Sequence, residues 1–431
     1  MMKLYCARWV LPVASAPIRD GAVAVEGARI AGVGARAQLA ERFPSVEVED
    51  FGEAALLPGF VNCHTHLELT AMRGFLDEEE GDFFAWLIKL TIARGGRMTT
   101  EDLYASAAWG AVEAARAGVT CVADASDAGA GALKALGDVG LRGVVFQEVF
   151  GPDEREAQRQ FDKAREKIAL LRGGETALVA LGLSPHAPYT VSRPLLEMLA
   201  EFAQDERLPL MMHASESEAE RMFMLEGRGP FAESFKARGL VFRPPGVSTV
   251  RHLARTGILD ARPLLAHCPK SNAKLGHGRA PLAAMLRAGL AVGLGSDSVA
   301  SNNTCDMLEE ARFAALASRA AGDTLEGGRM TGAEDALRML THDGARALKL
   351  EHAVGALAEG LEADLVAVRL DAVHQLPIYD AASALVFSSS GRDVLLTVVA
   401  GREVFRDGRV TRVDEDELRA RVRDIARRLS E

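Results

Sequence analysis

The sequence predicts an α/β fold: a TIM-like (β/α) barrel with a small β-sandwich assembled from both ends of the chain. Three observations predict it. Near-continuous apolar strand candidates alternate with amphipathic helical stretches through the middle of the chain. Short alternating strands separated by glycine turns occupy the beginning and recur near the end. Finally, the residues with chemistry to offer fall at the C-terminal ends of the central strands. The expected boundaries are a composite sandwich at 1–55 and 350–413, a barrel at 56–349 and a terminal helix at 414–431.

The leading flank carries "KLYCARWV", "GAVAVEGARIAGVG" and "VEVEDFG". The trailing flank carries "ADLVAVRL" and "VLLTVVAGREVFRDGRVTRV", with Asp407-Gly408 as a hairpin turn. Neither flank is large enough to bury a core alone, so the two are expected to pair. Between them lie seven strand candidates, at 54–66, 118–126, 142–150, 177–186, 208–216, 262–268 and 290–298. Helical segments such as "YASAAWGAVEAARAG" and "PLLEMLAEFAQD" separate most of them. Apolar strands alternating with helices imply a parallel sheet covered on both faces, and about 290 residues of it suit a barrel. No glycine fingerprint follows the first strand, which argues against a dinucleotide fold. The tail "DEDELRARVRDIARRLSE" reads as an amphipathic surface helix.

Bulk properties narrow the function classes. The 431 residues are 48% apolar and 26% charged, with a net charge of −10 and a pI of about 5.6. That balance argues against an electrostatic grip on nucleic acid or anionic membranes. No apolar run approaches the roughly 18 residues that span a bilayer. The N-terminus shows no signal peptide, because Arg8 interrupts its short apolar stretch. Cys6, Cys63, Cys121, Cys268 and Cys305 are scattered, odd in number and without a Cys-X-X-Cys pair. This suits reduced thiols and a cytoplasmic location.

In "PGFVNCHTHLELT", residues 58–70, an apolar strand ends on His64 and His66. Side chains at i and i+2 of a strand share a side, so two imidazoles converge at its end. The other strands end on Asp124, Glu148, His186, His213 with Glu216, His267 and Asp297. A (β/α) barrel builds its active site at that end. His64, His66, His213 and Asp297 together suit one divalent ion, zinc first and ferrous iron second, with an open position for water. Glu216, three residues past His213, is placed to move protons beside that water. The fourth strand's end, "LGLSPHAPY", has no lysine to bridge a second ion.

These residues resemble the amidohydrolase superfamily, in its cytosine-deaminase and triazine-hydrolase branch. The resemblance rests on "PGFVNCHTHLE", "SPHAPYTVS", "MHASESEAE", "HCPKSNAKLGHG", "GLGSDSVASNN" and "GALAEGLEADLVAV", in order over most of the chain. It implies a mononuclear metal barrel that hydrolyses groups from a heteroaromatic ring. It makes His64, His66, His213 and Asp297 the ligands, Glu216 the proton shuttle, Asp297 also a base, and His186 a substrate contact. Glu68, Trp86 and Ser298 are further candidates for the substrate pocket. "HTHLELT" and "ESEAERMFMLEGRGPF" are most similar to aminodeoxyfutalosine deaminases of an alternative menaquinone pathway. The runner-up is methylthioadenosine/S-adenosylhomocysteine deaminase. That family's ribose-binding glutamate falls here on Gly95-Gly96. A non-enzyme alternative is a purine-binding barrel with impaired catalysis. A homodimer is a further expectation, from the apolar and cationic segment "LIKLTIARGGRM", read as a long loop.

One departure from the family pattern stands out. Its members carry a histidine on the sixth strand and a separate seventh strand entering "HCP-SN". Here a single "RPLLAHCPKSNAKLGHG" does both, and His267 to Asp297 spans 30 residues (297 − 267), about one β/α unit. Either a whole unit is absent or a strand is hidden. His267 is expected to take the sixth-strand role and orient the catalytic water. In the seventh-strand position it would leave the site without that histidine.

Overall fold

The computed structural model describes residues 2–431. The two flanks pair as expected. Met2–Val10, Ile18–Glu26, Arg29–Ala35, Glu47–Asp50 and Ala54–Pro58 join Leu365–Arg369, Val394–Val399, Arg402–Arg406 and Arg409–Val410 in one nine-stranded sheet. Ala54–Pro58 is the joint, parallel to Met2–Val10 on one side and antiparallel to Leu365–Arg369 on the other. The sheet curls until distant strands meet: Tyr5 Oη donates to Glu403 Oε1 at 3.0 Å, across three intervening strands. Tyr5, Val23, Ile30, Leu56, Leu365, Leu396 and Val398 fill the enclosed core. The sandwich is therefore one sheet folded over, not two separate layers. Asp407 and Gly408 both have positive φ, as a two-residue hairpin turn requires.

The stretch 54–66, read as one strand, divides at Gly59. Ala54–Pro58 belongs to the flanking sheet and Phe60–Thr65 to the barrel. A Cβ on Gly59 would lie 2.1 Å from the Thr120 side chain. Only glycine lets the chain change sheets there.

Phe60–Thr65, Val119–Ser126, Arg142–Val149 and Val179–Pro185 form a parallel ladder. The remaining barrel strands are shorter than expected. Residues 208–216 contribute a bridge from Leu210 to Leu183 and a bond from Met211 N to Leu183 O. Leu264 N donates to Leu210 O, and Ala266–His267 pairs with Gly293–Leu294. Gly295 N donates to His267 O, and Asp297 N to His64 O at 2.9 Å. That last bond, with the Thr65–Asp297 bridge, returns to the first strand. Among the described residues the ring closes on seven strand segments. Only two six-residue helices, Pro269–Lys274 and Leu282–Arg287, lie between His267 and Gly293. No further strand is hidden there; one β/α unit is absent.

Alternation along the ring defines its interior. Cys121, Ala123, Ala125, Val144, Phe146 and Met211 share one cluster, joined by Leu264 and Ala266. Val122, Val145, Leu181, Leu183 and Leu294 face the helices. Asn62 fastens the closing seam: its Nδ2 donates to Ser296 Oγ at 2.7 Å and its Oδ1 accepts from Ser296 N at 3.0 Å.

The segment "LIKLTIARGGRM" is not a loop. Most of it lies in the helix Phe83–Arg97, capped by Asp82, whose carboxylate accepts from the Phe84 and Ala85 amides. The terminal helix Glu415–Ser430 packs Leu418, Ile425 and Leu429 inward and pairs Arg428 with Asp102. No helix among the described residues is long and apolar enough to cross a membrane. All five cysteines are free.

Glu310, buried on the helix Met307–Ala320, steadies the loop that follows Asp297 by accepting from Asn302 Nδ2 at 2.6 Å. Burial lifts its carboxyl to about 7. A folded value above the unfolded one means that this stabilisation is full at low pH and is lost as pH rises through 7. Glu310→Gln removes the titration. Its unfolding free energy relative to wild type should therefore rise between about pH 5 and about pH 8, on the order of 2 kcal/mol. Denaturant unfolding at the two pH values checks this; an unchanged difference would contradict it.

Candidate metal centre and active site

The first strand needs a device to aim its histidines. Asn62 pairs with Val122, but Thr65 pairs with Asp124, so one strand spends three residues where its neighbour spends two. This bulge resets the alternation. Val61 and Cys63 face the interior below it, and His64 and His66 face the interior above it. Asp297 reaches the same point from the closing segment, with its backbone in the left-handed region at φ 55°. Strain of that kind persists where surrounding structure enforces it. Here the bond from Asp297 N to His64 O does so.

Four donor atoms converge. His66 Nε2 lies 3.3 Å from His213 Nε2, and Asp297 Oδ1 lies 3.3 Å from His64 Nε2 and 3.6 Å from His66 Nε2. A tetrahedral ion with bonds of about 2.1 Å needs ligand atoms about 3.4 Å apart. The far side of each group is already committed, as metal ligands require. His213 Nδ1 donates to the His186 carbonyl at 3.0 Å, which turns the Nε2 lone pair inward. Asp297 Oδ2 accepts from Ser271 Oγ at 2.5 Å and Ser301 Oγ at 2.7 Å, leaving Oδ1 free. His64 Nε2 is buried without a hydrogen-bond partner. Burial holds His64 and His66 below the ordinary histidine range. Burial alone would raise Asp297, but the neighbouring imidazoles and Ser271 keep it well below the carboxylate range. Burial lowers His213 too, but the charges of Glu216, Glu148 and Asp297 outweigh it and raise this imidazole. His64, His66 and Asp297 are thus in the state that binds a divalent cation, and a cation at His213 must displace a proton.

Glu216 stands beside this quartet. Its Oε2 accepts from Tyr189 Oη at 2.5 Å. Burial pushes its carboxyl up to about 7, against the pull of His213 and of that hydrogen bond. Its loop is held by buried Glu220, which accepts from the Ser215 and Glu216 amides at 2.9 Å. Both carboxylates line or support a cavity of about 380 Å³. His66, His213 and Asp297 form its floor, with walls from Leu69, Trp86, Leu90, Phe150, Phe231 and Phe235.

The other sequence candidates divide. His186, Trp86 and Ser298 line the cavity; the Ser298 hydroxyl also caps a short helix by accepting from Ala300 N. Glu68 does not line it. It is buried, and its carboxylate accepts from Ser126 Oγ at 2.6 Å, Ala128 N at 2.9 Å and Arg94 at 3.3 Å. Glu68 is an anchor of the loop after the second barrel strand, not a substrate contact.

His267 does not join the site. Leu264 and Ala266 face the interior, and a Cβ on Gly295 would meet Cys268 Sγ at 2.8 Å beside His64. Alternation therefore sends Cys268 inward and His267 outward. The His267 ring has no hydrogen-bonded partner among the described residues, and burial alone lowers it to about 4. The same strand runs directly into "HCPKSN", whose Ser271 bonds Asp297. Sequence reasoning also passed over Arg94 and Tyr189, which line the cavity. Their only signal was helical or loop position beside recognised motifs.

A donor quartet, a buried carboxylate and an apolar cavity on a (β/α) barrel suit a metal-dependent hydrolase. The amidohydrolase family profile matches residues 55–404, and the chain belongs to that family, whose members here hydrolyse carbon–nitrogen bonds other than peptide bonds. It is 33% identical over 417 residues to a 5-methylthioadenosine/S-adenosylhomocysteine deaminase of Pelotomaculum thermopropionicum, covering 95% of this chain and 94% of that one. It superposes with a TM-score of 0.84 and 28% identity on a zinc-bound adenosine deaminase of Xanthomonas campestris, covering 99% and 98% of the two chains. The aminofutalosine deaminase of Helicobacter pylori shares the fold at a TM-score of 0.76 and 21% identity, covering 94% and 100%.

If the quartet is the metal site, elemental analysis should find one divalent ion per chain. His213→Ala and Asp297→Ala should each fall close to none while remaining folded by circular dichroism. Wild-type metal content in both variants would refute the assignment.

Proposed function

We propose that this protein removes the 6-amino group of an adenine nucleoside by hydrolysis, with methylthioadenosine and S-adenosylhomocysteine as the first candidates. The observation that carries the reading is Glu216 beside the donor quartet at the floor of an apolar cavity. The deaminase relative, alike along nearly its whole length, supports the same substrate class.

His64, His66, His213 and Asp297 would hold the ion; zinc fits their three nitrogens and one oxygen. Once bound, such an ion lowers the pKa of a coordinated water toward neutrality and so supplies a nucleophile. The protein's own groups do the rest. A flat heteroaromatic ring fits between the apolar walls with its amino-bearing carbon toward the floor. Glu216, whose carboxyl burial lifts to about 7, would give its proton to the ring nitrogen beside that carbon, take one from the attacking water and pass it to the departing amine, and be reprotonated as the new carbonyl loses the water's second proton. Tyr189 fixes the carboxylate's orientation. With His267 turned outward, no spare imidazole from that strand shares the proton traffic.

Aminodeoxyfutalosine is a second reading, which Arg238 suits as well as it suits S-adenosylhomocysteine and better than it suits methylthioadenosine. This exposed arginine stands at the cavity wall and has no ion-pair partner among the described residues. It suits a 5′ arm that ends in a carboxylate.

The test is a substrate panel on the zinc-loaded protein: methylthioadenosine, S-adenosylhomocysteine, adenosine and aminodeoxyfutalosine. The ultraviolet shift from adenine to hypoxanthine reports turnover. At least one should be deaminated; release of ammonia from none would overturn the reading. Glu216→Gln should keep its metal and lose about 10²–10⁴ in kcat, since the amide cannot carry the proton. Near-normal turnover in that variant would remove Glu216 from the mechanism.

A further inference from the structure

The helix Phe83–Arg97, which forms one wall of the cavity, carries no carboxylate. Yet the cavity contains an acceptor with nothing to accept. Glu148 ends the strand Arg142–Val149 on its interior side, with its side chain only 2% exposed, and lines the cavity. Neither of its carboxylate oxygens receives a hydrogen bond from any described residue, and Oε1 is fully buried. It is not spent on Arg94. That guanidinium already reaches Glu68 at 3.3 Å and Asp127 at 3.2 Å, and stands 3.9 Å from Glu148. A buried acceptor left unmade costs about 1–3 kcal/mol, a cost that a bound ligand removes.

His186 faces the same gap. His186 Nδ1 pairs with the Thr190 hydroxyl at 2.7 Å, which occupies that nitrogen and leaves Nε2 turned toward the gap. Nε2 stands 3.9 Å from Glu148 Oε1. At that separation the two do not bond each other. They call for a ligand that offers two small polar groups side by side, one of them a donor for the carboxylate. On an adenine nucleoside, whose amino group belongs at the metal floor, the two hydroxyls of the ribose cis-diol fit, because a hydroxyl donates to a carboxylate and either donates to or accepts from a ring nitrogen.

We infer that Glu148 and His186 Nε2 receive the 2′- and 3′-hydroxyls of the substrate's ribose, with Glu148 the specificity-determining residue for the sugar. The inference rests on the nucleoside reading above and adds a contact for the sugar.

The experiment compares the best nucleoside substrate with its 2′-deoxy and 3′-deoxy analogues, in zinc-loaded wild type and in Glu148→Ala. Hydrogen bonds to neutral and to charged acceptors together span a loss of about 3- to 100-fold, so wild type should handicap each analogue within that range in kcat/KM. In Glu148→Ala the handicap of one analogue should collapse toward unity, because the hydroxyl has lost its acceptor. A variant that is merely misfolded would slow all three substrates alike and keep both ratios. Both handicaps persisting at wild-type size in a Glu148→Ala protein that circular dichroism shows to be folded, or either analogue carrying no handicap in wild type, would overturn the inference while leaving deamination intact. If no nucleoside is turned over, calorimetry with inosine and its two deoxy forms reads the same ratios in affinity. Equal binding of all three by wild type, or no binding of any, would overturn the inference.

Discussion

Three imidazole nitrogens and one carboxylate oxygen face one another across gaps of 3.3–3.6 Å. Four lone-pair donors in so small a space repel unless a cation lies among them, and the rest of the architecture serves to hold them there. The bulge in the first strand turns His64 and His66 inward. The bond from Asp297 to the His64 carbonyl closes the ring against them. The His186 carbonyl fixes the tautomer of His213, and two serine hydroxyls occupy the Asp297 oxygen that faces away. Each of these contacts is ordinary alone; together they preorganise a charge-binding point that solvent does not level.

The ring that carries this point is one β/α unit short. A closed parallel barrel links strand number, tilt and stagger, and this one meets the link by economy in its last segments. The segments at 210, 264–267 and 293–297 make only short ladders or single bridges. Their backbone is therefore less regular than that of the first four strands, and side-chain bonds such as those of Asn62 and Glu310 carry part of the closure. The shortening also has a chemical consequence. It retains the strand that leads into Ser271, whose hydroxyl supports Asp297, and it leaves His267 outside the cavity lining.

Much of this was legible in the residues. Seven apolar runs gave seven ring segments, and the polar residues at their ends located the site, because a parallel barrel puts its loops and its chemistry at one face. The hairpin at Asp407-Gly408 followed from backbone preference alone. Other features were not legible, for identifiable reasons. The role of His267 depends on whether odd or even residues of a two-residue strand face inward, and that parity is set by pairing partners far along the chain. Glu68 follows the His-X-His motif closely, but its carboxylate is consumed by amides near residue 127 that no local pattern announces. The segment 87–98 reads as a loop, yet packing of Phe83, Trp86 and Leu90 makes all but its last residue part of a helix wall of the cavity. Glu148 was visible at a strand end, but only the geometry shows that it has no partner.

The account's central claim is that this quartet, loaded with one divalent ion, makes the barrel a deaminase of adenine nucleosides. The most direct measurement is a zinc titration of metal-depleted protein, followed by the absorbance change from adenine to hypoxanthine in the best substrate. The account predicts no turnover at the start and a linear rise that stops at one equivalent of zinc. Turnover in the fully depleted protein, or none at any zinc level, would contradict it.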